Sequence, residues 1–472
     1  MKTVSNRLMD TIILLNPYPF IPRATVMKST VSADAPVVTS ARIESLDILR
    51  GVALLGVLLL NILGFGMASA GYFHPLVGLG KNPELNYAVW GIMNLFFEGS
   101  MRGLFSLLFG AGIVMFTTGF GTRSGREKGA WLHYKRTFFL LLFGMFDSFV
   151  LLWTGDILIL YAMAGALLYP LRNARPKTLL ILSATVLVFT SILFAASGFL
   201  VEEGRDVAAT IDANPAGEYS AEERELAALW TDSENQFTFN ESAMEQELDT
   251  RRGSYFEIAS YSGEKVIDSL LFFTPVFMLW DCVGMMLLGM GLYRLGVLSA
   301  QHSSKKYLQL AIGGFAFGLA VNGYELFRAI DSDFDAIVIS GYFQGTYQLG
   351  RVAMSMGWLG LIMLFCQVEV WTGIKKRLAA VGRMALTNYL LHSLICLIVF
   401  TGAGFGLIGV FERWELYVIV LAIWIFQLVL SPWWLNRYSF GPAEWLWRSL
   451  TYGAVQKWRV KNAAAVKKTE PD

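Results

Sequence analysis

Asp147 and Asp156 flank the short turn Trp153-Thr154-Gly155, so the chain returns the second carboxylate close to the first. Two carboxyl groups in one place can take up and give back a proton, the task of a general acid or base. His392 is a second candidate for that task, because an imidazole titrates near neutrality. Asn388 sits four residues before it, on the same face of a helix. Arg102 and Arg351 add two cations, and Glu98 and Asp281 two more carboxylates, all inside apolar runs. An ionised side chain in hydrocarbon costs about 2.5–3.5 kcal/mol even on the mildest insertion scale, so such groups usually face a polar interior. Each also has a plainer reading. Carboxylates and arginines can neutralise one another, and a buried histidine can link two helices by a hydrogen bond.

A second tier of polar residues has the spacing to line a substrate cavity. Glu98 and Arg102 are four apart, as for an intrahelical pair, and Gln344, Gln348 and Arg351 share one helical face. Asp47 and Arg50 open the first apolar segment and lie on the face that carries Asn61 three turns later. The Asp47–Arg50 spacing equally suits an ion pair that fixes the register of that helix. No metal centre is expected: the three cysteines lie in or beside apolar runs, and no two of the four histidines have ligand spacing. GxSxG, Walker and HExxH motifs are absent from the sequence.

The elements that must position these residues are membrane spans. The chain has 472 residues, 55% of them hydrophobic and only 16% charged, with a mean hydropathy of +0.49. Soluble domains carry about 25% charged residues. The apolar runs approach the ~20 residues that cross a bilayer as a helix. They predict an all-α polytopic bundle of about ten spans: Leu46–Met67, Tyr87–Gly119, Tyr134–Leu152, Asp156–Leu171, Thr178–Leu200, Val266–Leu295, Tyr307–Phe327, Ala336–Phe365, Met384–Gly402 and Trp414–Trp434. The second is too long for one straight crossing, and Glu98-Gly99-Ser100 predicts a break in it.

Every second loop is basic, which puts those loops and both termini in the cytoplasm by the positive-inside rule. Residues 199–266 oppose them with sixteen Asp/Glu against five Lys/Arg. There Ser220-x-x-Glu223 has the capping-box pattern of a helix start, so this extracytoplasmic loop reads as a helical cap or as an acidic linker. The expected organisation is a flexible cytoplasmic leader (1–41), spans one to five (42–200), the acidic loop (201–265), spans six to ten (266–453) and a basic cytoplasmic tail (454–472). No basic face interleaved with aromatics points to nucleic acid.

Several motifs together resemble one family. They are Ser45-Leu46-Asp47-x-x-Arg50-Gly51 with Asn61; LFSLLFGAG over Leu104–Gly112; Gly155-Asp156-Ile157-Leu158 with Tyr161; Gly284–Gly289; GRMALTNYLL over Gly382–Leu391; and Gly441-Pro442-x-Glu444-Trp445-Leu446-Trp447-Arg448. The chain resembles the YeiB-like bacterial inner-membrane proteins, a domain of unknown function, over residues 42–453. A histidine is common in that family where this chain has Asp147, and a glutamine where it has His392. The opening motif is also similar to that of heparan-α-glucosaminide N-acetyltransferase and related transmembrane acyltransferases. That similarity implies movement of an acyl group from cytoplasmic acyl-CoA to an extracytoplasmic, lipid-linked or glycan acceptor.

For such a reaction the base would be His392 or the Asp147/Asp156 pair, with Arg102 or Arg351 stabilising the oxyanion. Glu98, Asp47, Arg50, Asn61, Gln344, Gln348 and Asn388 would bind substrate. Arg123, Arg126 and Arg136, in the basic connection after span two, would meet the phosphates of coenzyme A, although the positive-inside rule explains them as well. Acyl-CoA would be a co-substrate and not a permanent cofactor. Two other functions fit the same residues: a small-solute transporter that uses the intramembrane charges, and a non-catalytic membrane scaffold that docks through the acidic loop. The bilayer is the expected surrounding, and a homo-oligomer stays open.

Overall fold

The computed structural model describes residues 44–78, 80–121, 126–237, 241–339 and 345–459. The expected leader, Arg123, Gln344 and the last part of the tail lie outside the described residues. Those described form helices joined by turns, with one isolated β-bridge between Tyr438 and Arg459.

The bundle is built around α1 (Glu44–Gly66), a largely apolar helix buried along most of its length. α2 (Pro83–Phe96) and α3 (Ser100–Gly121) form one interrupted crossing, divided at Glu98-Gly99 as the sequence predicts. Gly99 makes the break possible. Its φ is +64°, and a Cβ there would run into the Tyr347 hydroxyl and the Arg351 side chain. α4 (Arg126–Phe149) and α5 (Leu158–Leu168) form the hairpin that carries the two aspartates. α6 (Pro176–Ala213) has 38 residues, so at 1.5 Å each it reaches about 57 Å, well beyond a hydrocarbon core of about 30 Å.

Its far part leads into the acidic loop, which is helical: α7 (Ala221–Phe237), α8 (Glu241–Arg252) and α9 (Tyr255–Asp268). The predicted capping box forms. The Ser220 N–H donates to Glu223 Oε2 at 2.7 Å, and the Glu223 N–H to Ser220 Oγ at 3.2 Å. Beyond α9 the chain widens into a π-helical stretch, Ser269–Met278, containing Pro275, and then narrows into α10 (Leu279–Arg294). Wide turns of this kind recur at functional sites.

α11 (Ser304–Asp331) and α12 (Tyr347–Gln367) lie along one another. Gly314 allows the approach, because a Cβ there would overlap the backbone of Gly357; Gly318 faces Met354 in the same seam. α13 (Thr372–Arg383) meets α14 (Ala385–Phe400) at a bend of 80°. α15 (Arg413–Leu435) and the short α16 (Pro442–Tyr452) complete the bundle.

Among the described residues, seven stretches are long and apolar enough to cross a membrane, or eight if the bent α13–α14 pair is one span. The expectation of ten counted α4 and α5 as well. Neither reaches that standard: α5 has eleven residues, and α4 opens with a charged first turn and a half. The expected span at Ala336–Phe365 begins in the structure at Tyr347, after a separate four-residue turn at Ala336–Ile339.

The two most distinctive motifs meet at the start of α14. Glu444 Oε1 accepts hydrogen bonds from the Leu386 and Thr387 N–H groups at 2.7 and 3.1 Å, and Glu444 Oε2 from Thr387 Oγ1. A carboxylate from α16 thus caps the N-terminus of α14, where orphan N–H groups and the helix dipole favour a negative charge.

Candidate functional site

A cavity of about 370 Å³ opens beneath the acidic loop. Its walls come from distant parts of the chain: Asn61 on α1, Tyr72 and Ser69 from the following turn, and Glu98 and Arg102 at the helix break. Asp156 comes from the α4–α5 turn, Glu247 and Arg251 from α8, Tyr261 and Lys265 from α9, and Phe273, Thr274 and Met278 from the π-helical stretch. Thr154, Gly155 and Lys265 are exposed at its rim. Three carboxylates and three cations therefore share one space with aromatic and aliphatic walls.

The deep charges are held in a chain of contacts. Arg102 Nη2 donates to the Tyr347 hydroxyl at 3.0 Å, and that hydroxyl donates to Glu98 Oε1 at 3.4 Å. Arg102 also lies 3.7 Å from Asp281 Oδ2. Behind this layer Asp281 is buried and doubly engaged: Arg351 Nη1 donates to its Oδ2 and Gln348 Nε2 to its Oδ1, both at 2.7 Å. Arg351 and Gln348 are buried and are not among the residues lining the cavity. They brace Asp281, which in turn stands behind Arg102.

Asp156 is half-buried on the cavity wall. Its Oδ2 accepts from the Ile159 N–H at 2.8 Å and its Oδ1 from the Tyr389 hydroxyl at 3.4 Å. The first turn of α5 therefore aims the carboxylate and supplies a partial positive charge. Asp147 lies beside it, as the intervening turn predicts, fully buried on α4 with Ser393 of α14 adjacent.

The rim is clasped from the acidic loop. Arg251 donates to the carbonyls of Gly64, Phe65 and Met67 at 2.9, 3.1 and 3.0 Å, capping the C-terminus of α1. Glu247, one turn before it on α8, accepts from the Ser69 N–H at 3.0 Å and from Ser69 Oγ at 2.8 Å. Lys265 Nζ donates to Ser69 Oγ at 3.2 Å.

The other expected site residues are elsewhere. His392 Nε2 donates to Gln427 Oε1 at 3.0 Å, a link between α14 and α15 that leaves the imidazole buried and off the cavity wall. Asn388 belongs to the same link: its Nδ2 donates to Ser431 Oγ and the Val381 carbonyl, and its own carbonyl accepts from Gln427. Asp47 and Arg50 form an i,i+3 ion pair of 3.1 Å, away from the cavity; Asn61, about 16 Å further along α1, alone reaches it from that stripe. Arg136 lies over the rings of Trp447 (4.5 Å) and Phe116 (4.9 Å), a packed position and not an open phosphate site. Side-chain placement of Arg126 is outside the described residues.

Sequence reasoning passed over Glu247, Arg251, Tyr261 and Lys265. The i,i+4 spacing of Glu247 and Arg251 marks a shared helical face, but nothing local says that this face meets the end of α1. Among the described residues no group of three His, Cys, Asp or Glu side chains could hold a metal ion.

Comparison with known proteins identifies the family. Residues 292–454 match the family described as "Protein of unknown function (DUF418)". The chain is 30% identical over 413 residues to "Uncharacterized protein YeiB" of Escherichia coli (strain K12), covering 87% of this chain and 96% of that protein. It is 28% identical over 431 residues to "Uncharacterized protein YxaH" of Bacillus subtilis (strain 168), covering 89% and 97%. No solved structure matches. With the bundle and this near full-length likeness established, the chain belongs to the YeiB-like family of membrane proteins.

Proposed function

We propose that this protein is a membrane-embedded acyltransferase of the bacterial inner membrane, with the cavity beneath the acidic loop as its acceptor site. One observation carries the reading: of the candidate bases and cations, Asp156 and Arg102 are the ones that line a common accessible cavity. The acceptor hydroxyl or amine gives its proton to Asp156 as its oxygen or nitrogen attacks the thioester carbonyl. Arg102, oriented by Tyr347 and backed by Asp281, stabilises the oxyanion. The C–S bond then breaks, and the proton passes from Asp156 to the departing thiolate. Acyl-CoA is the co-substrate, and the similarity of the opening motif to transmembrane acyltransferases supports that choice. The apolar wall at Phe273 and Met278, beside the exposed Leu271 and Phe272, suits an amphiphilic acceptor.

The broken crossing favours a second reading, transport. At Glu98-Gly99 the N-terminus of α3 opens beside the cavity, and interrupted helices of this kind bind substrate in transporters. Purified protein in vesicles, given radiolabelled acetyl-CoA and an envelope extract, separates the two. Label transferred to an envelope component supports the enzyme. Solute flux without a donor, together with no transfer, rejects it.

A further inference from the structure

Asp147 is 0% exposed, with no hydrogen bond of good geometry to either carboxyl oxygen among the described residues; the Ser393 side chain and Asp156 are its polar neighbours. No lysine, arginine or histidine among the described residues pairs with it or with Asp156. The two carboxyl groups are neighbours but unlike. Asp156 accepts from the Ile159 N–H and the Tyr389 hydroxyl and lines the cavity, whereas Asp147 is fully buried, off the cavity wall, with only Ser393 beside it as a donor. Two adjacent carboxylates without a counter-ion repel each other, so one is held protonated, and burial and hydrogen-bond donors decide which one keeps the charge.

We infer that Asp147 and Asp156 share a single proton that resides on Asp147, so that the pair's one negative charge is kept on the oxygens facing the cavity. Asp147 is then a positioning residue: it makes its neighbour the base and does not itself touch substrate. The inference deepens the acyltransferase reading, in which Asp156 takes the acceptor's proton and returns it to the thiolate while Asp147 keeps its own throughout. The groups around the pair are Tyr389 and Ser393 on α14 and the Leu158 and Ile159 N–H groups that open α5.

The infrared spectrum of the purified protein in lipid at neutral pH tests the proton directly, apart from any catalysis. The wild-type minus Asp147→Asn difference should contain the carbonyl band of a protonated carboxylic acid, and Asp147→Glu should retain that band at a displaced frequency. Asp156→Asn should leave the Asp147 band in place. A difference spectrum holding only ionised-carboxylate bands overturns the inference, as does one that shifts with sodium concentration, which would mean a cation between the carboxylates. The glutamate variant keeps the test decisive if the asparagine variant fails to fold. A clear protonated band in protein that transfers no acyl group upholds the shared proton and removes the acyltransferase reading alone.

Discussion

Arg351 and Asp281 form an ion pair sealed inside the bundle, with Nη1 2.7 Å from Oδ2 and the side chains 1% and 3% exposed. Removing one member of such a pair strands the other charge and costs about 3–5 kcal/mol, whereas replacing both with apolar groups costs far less. Asp281→Asn and Arg351→Met should each lower the thermal midpoint in detergent sharply. The double variant, with Asp281→Leu and Arg351→Met, should recover part of the loss. Equal losses in all three would show that the pair does not act as a unit.

The clasp between α8 and the end of α1 makes a local prediction. Arg251→Met removes three charged hydrogen bonds to carbonyls, each worth about 1.5–3 kcal/mol when its acceptor stays buried. Hydrogen exchange should speed up across residues 241–252 and 64–78 and stay unchanged in α11 and α12. Uniform acceleration through the bundle would mean that Arg251 supports the whole fold and not the cavity rim.

Glu444 should matter for stability more than for chemistry. Glu444→Ala removes an N-terminal cap from α14, and a lost cap costs about 0.5–2 kcal/mol. The thermal midpoint should fall, and Glu444→Gln should restore part of it because its amide oxygen still accepts.

Acid should weaken the loop at Glu412. The Lys81 N–H, with Asn82, Asn86 and Trp414, holds the Glu412 carboxyl down to about 2. A depressed folded value means that its contribution is complete above the ordinary value of 4.5 and is lost as pH falls through about 2. Between those limits the wild type should lose stability and Glu412→Gln should lose less. Parallel curves for the two proteins would contradict the assignment.

What could be read from sequence was local. The break at Glu98-Gly99, the capping box at Ser220 and Glu223 and the meeting of Asp147 with Asp156 follow from spacing and short turns, and all three are present. What failed to show was the partner across space. Helical periodicity puts His392 and Asn388 on one face, but Gln427 and Ser431 decide that this face is a helix–helix seam. Arg251 reaches Gly64 across 187 positions of chain, a contact that no local pattern encodes. Asp281 is visible in the sequence as an intramembrane charge, while its role as the brace behind Arg102 depends on three helices meeting.

The most direct measurement compares the initial rate of acyl transfer by wild type, Asp156→Asn and His392→Gln in the same vesicles. Loss of a positioned general base lowers a rate by about 10²–10⁴. The asparagine variant should therefore fall by that factor while the glutamine variant stays near wild type. Transfer that survives in Asp156→Asn and collapses in His392→Gln would contradict the account and move the chemistry to the α14–α15 seam.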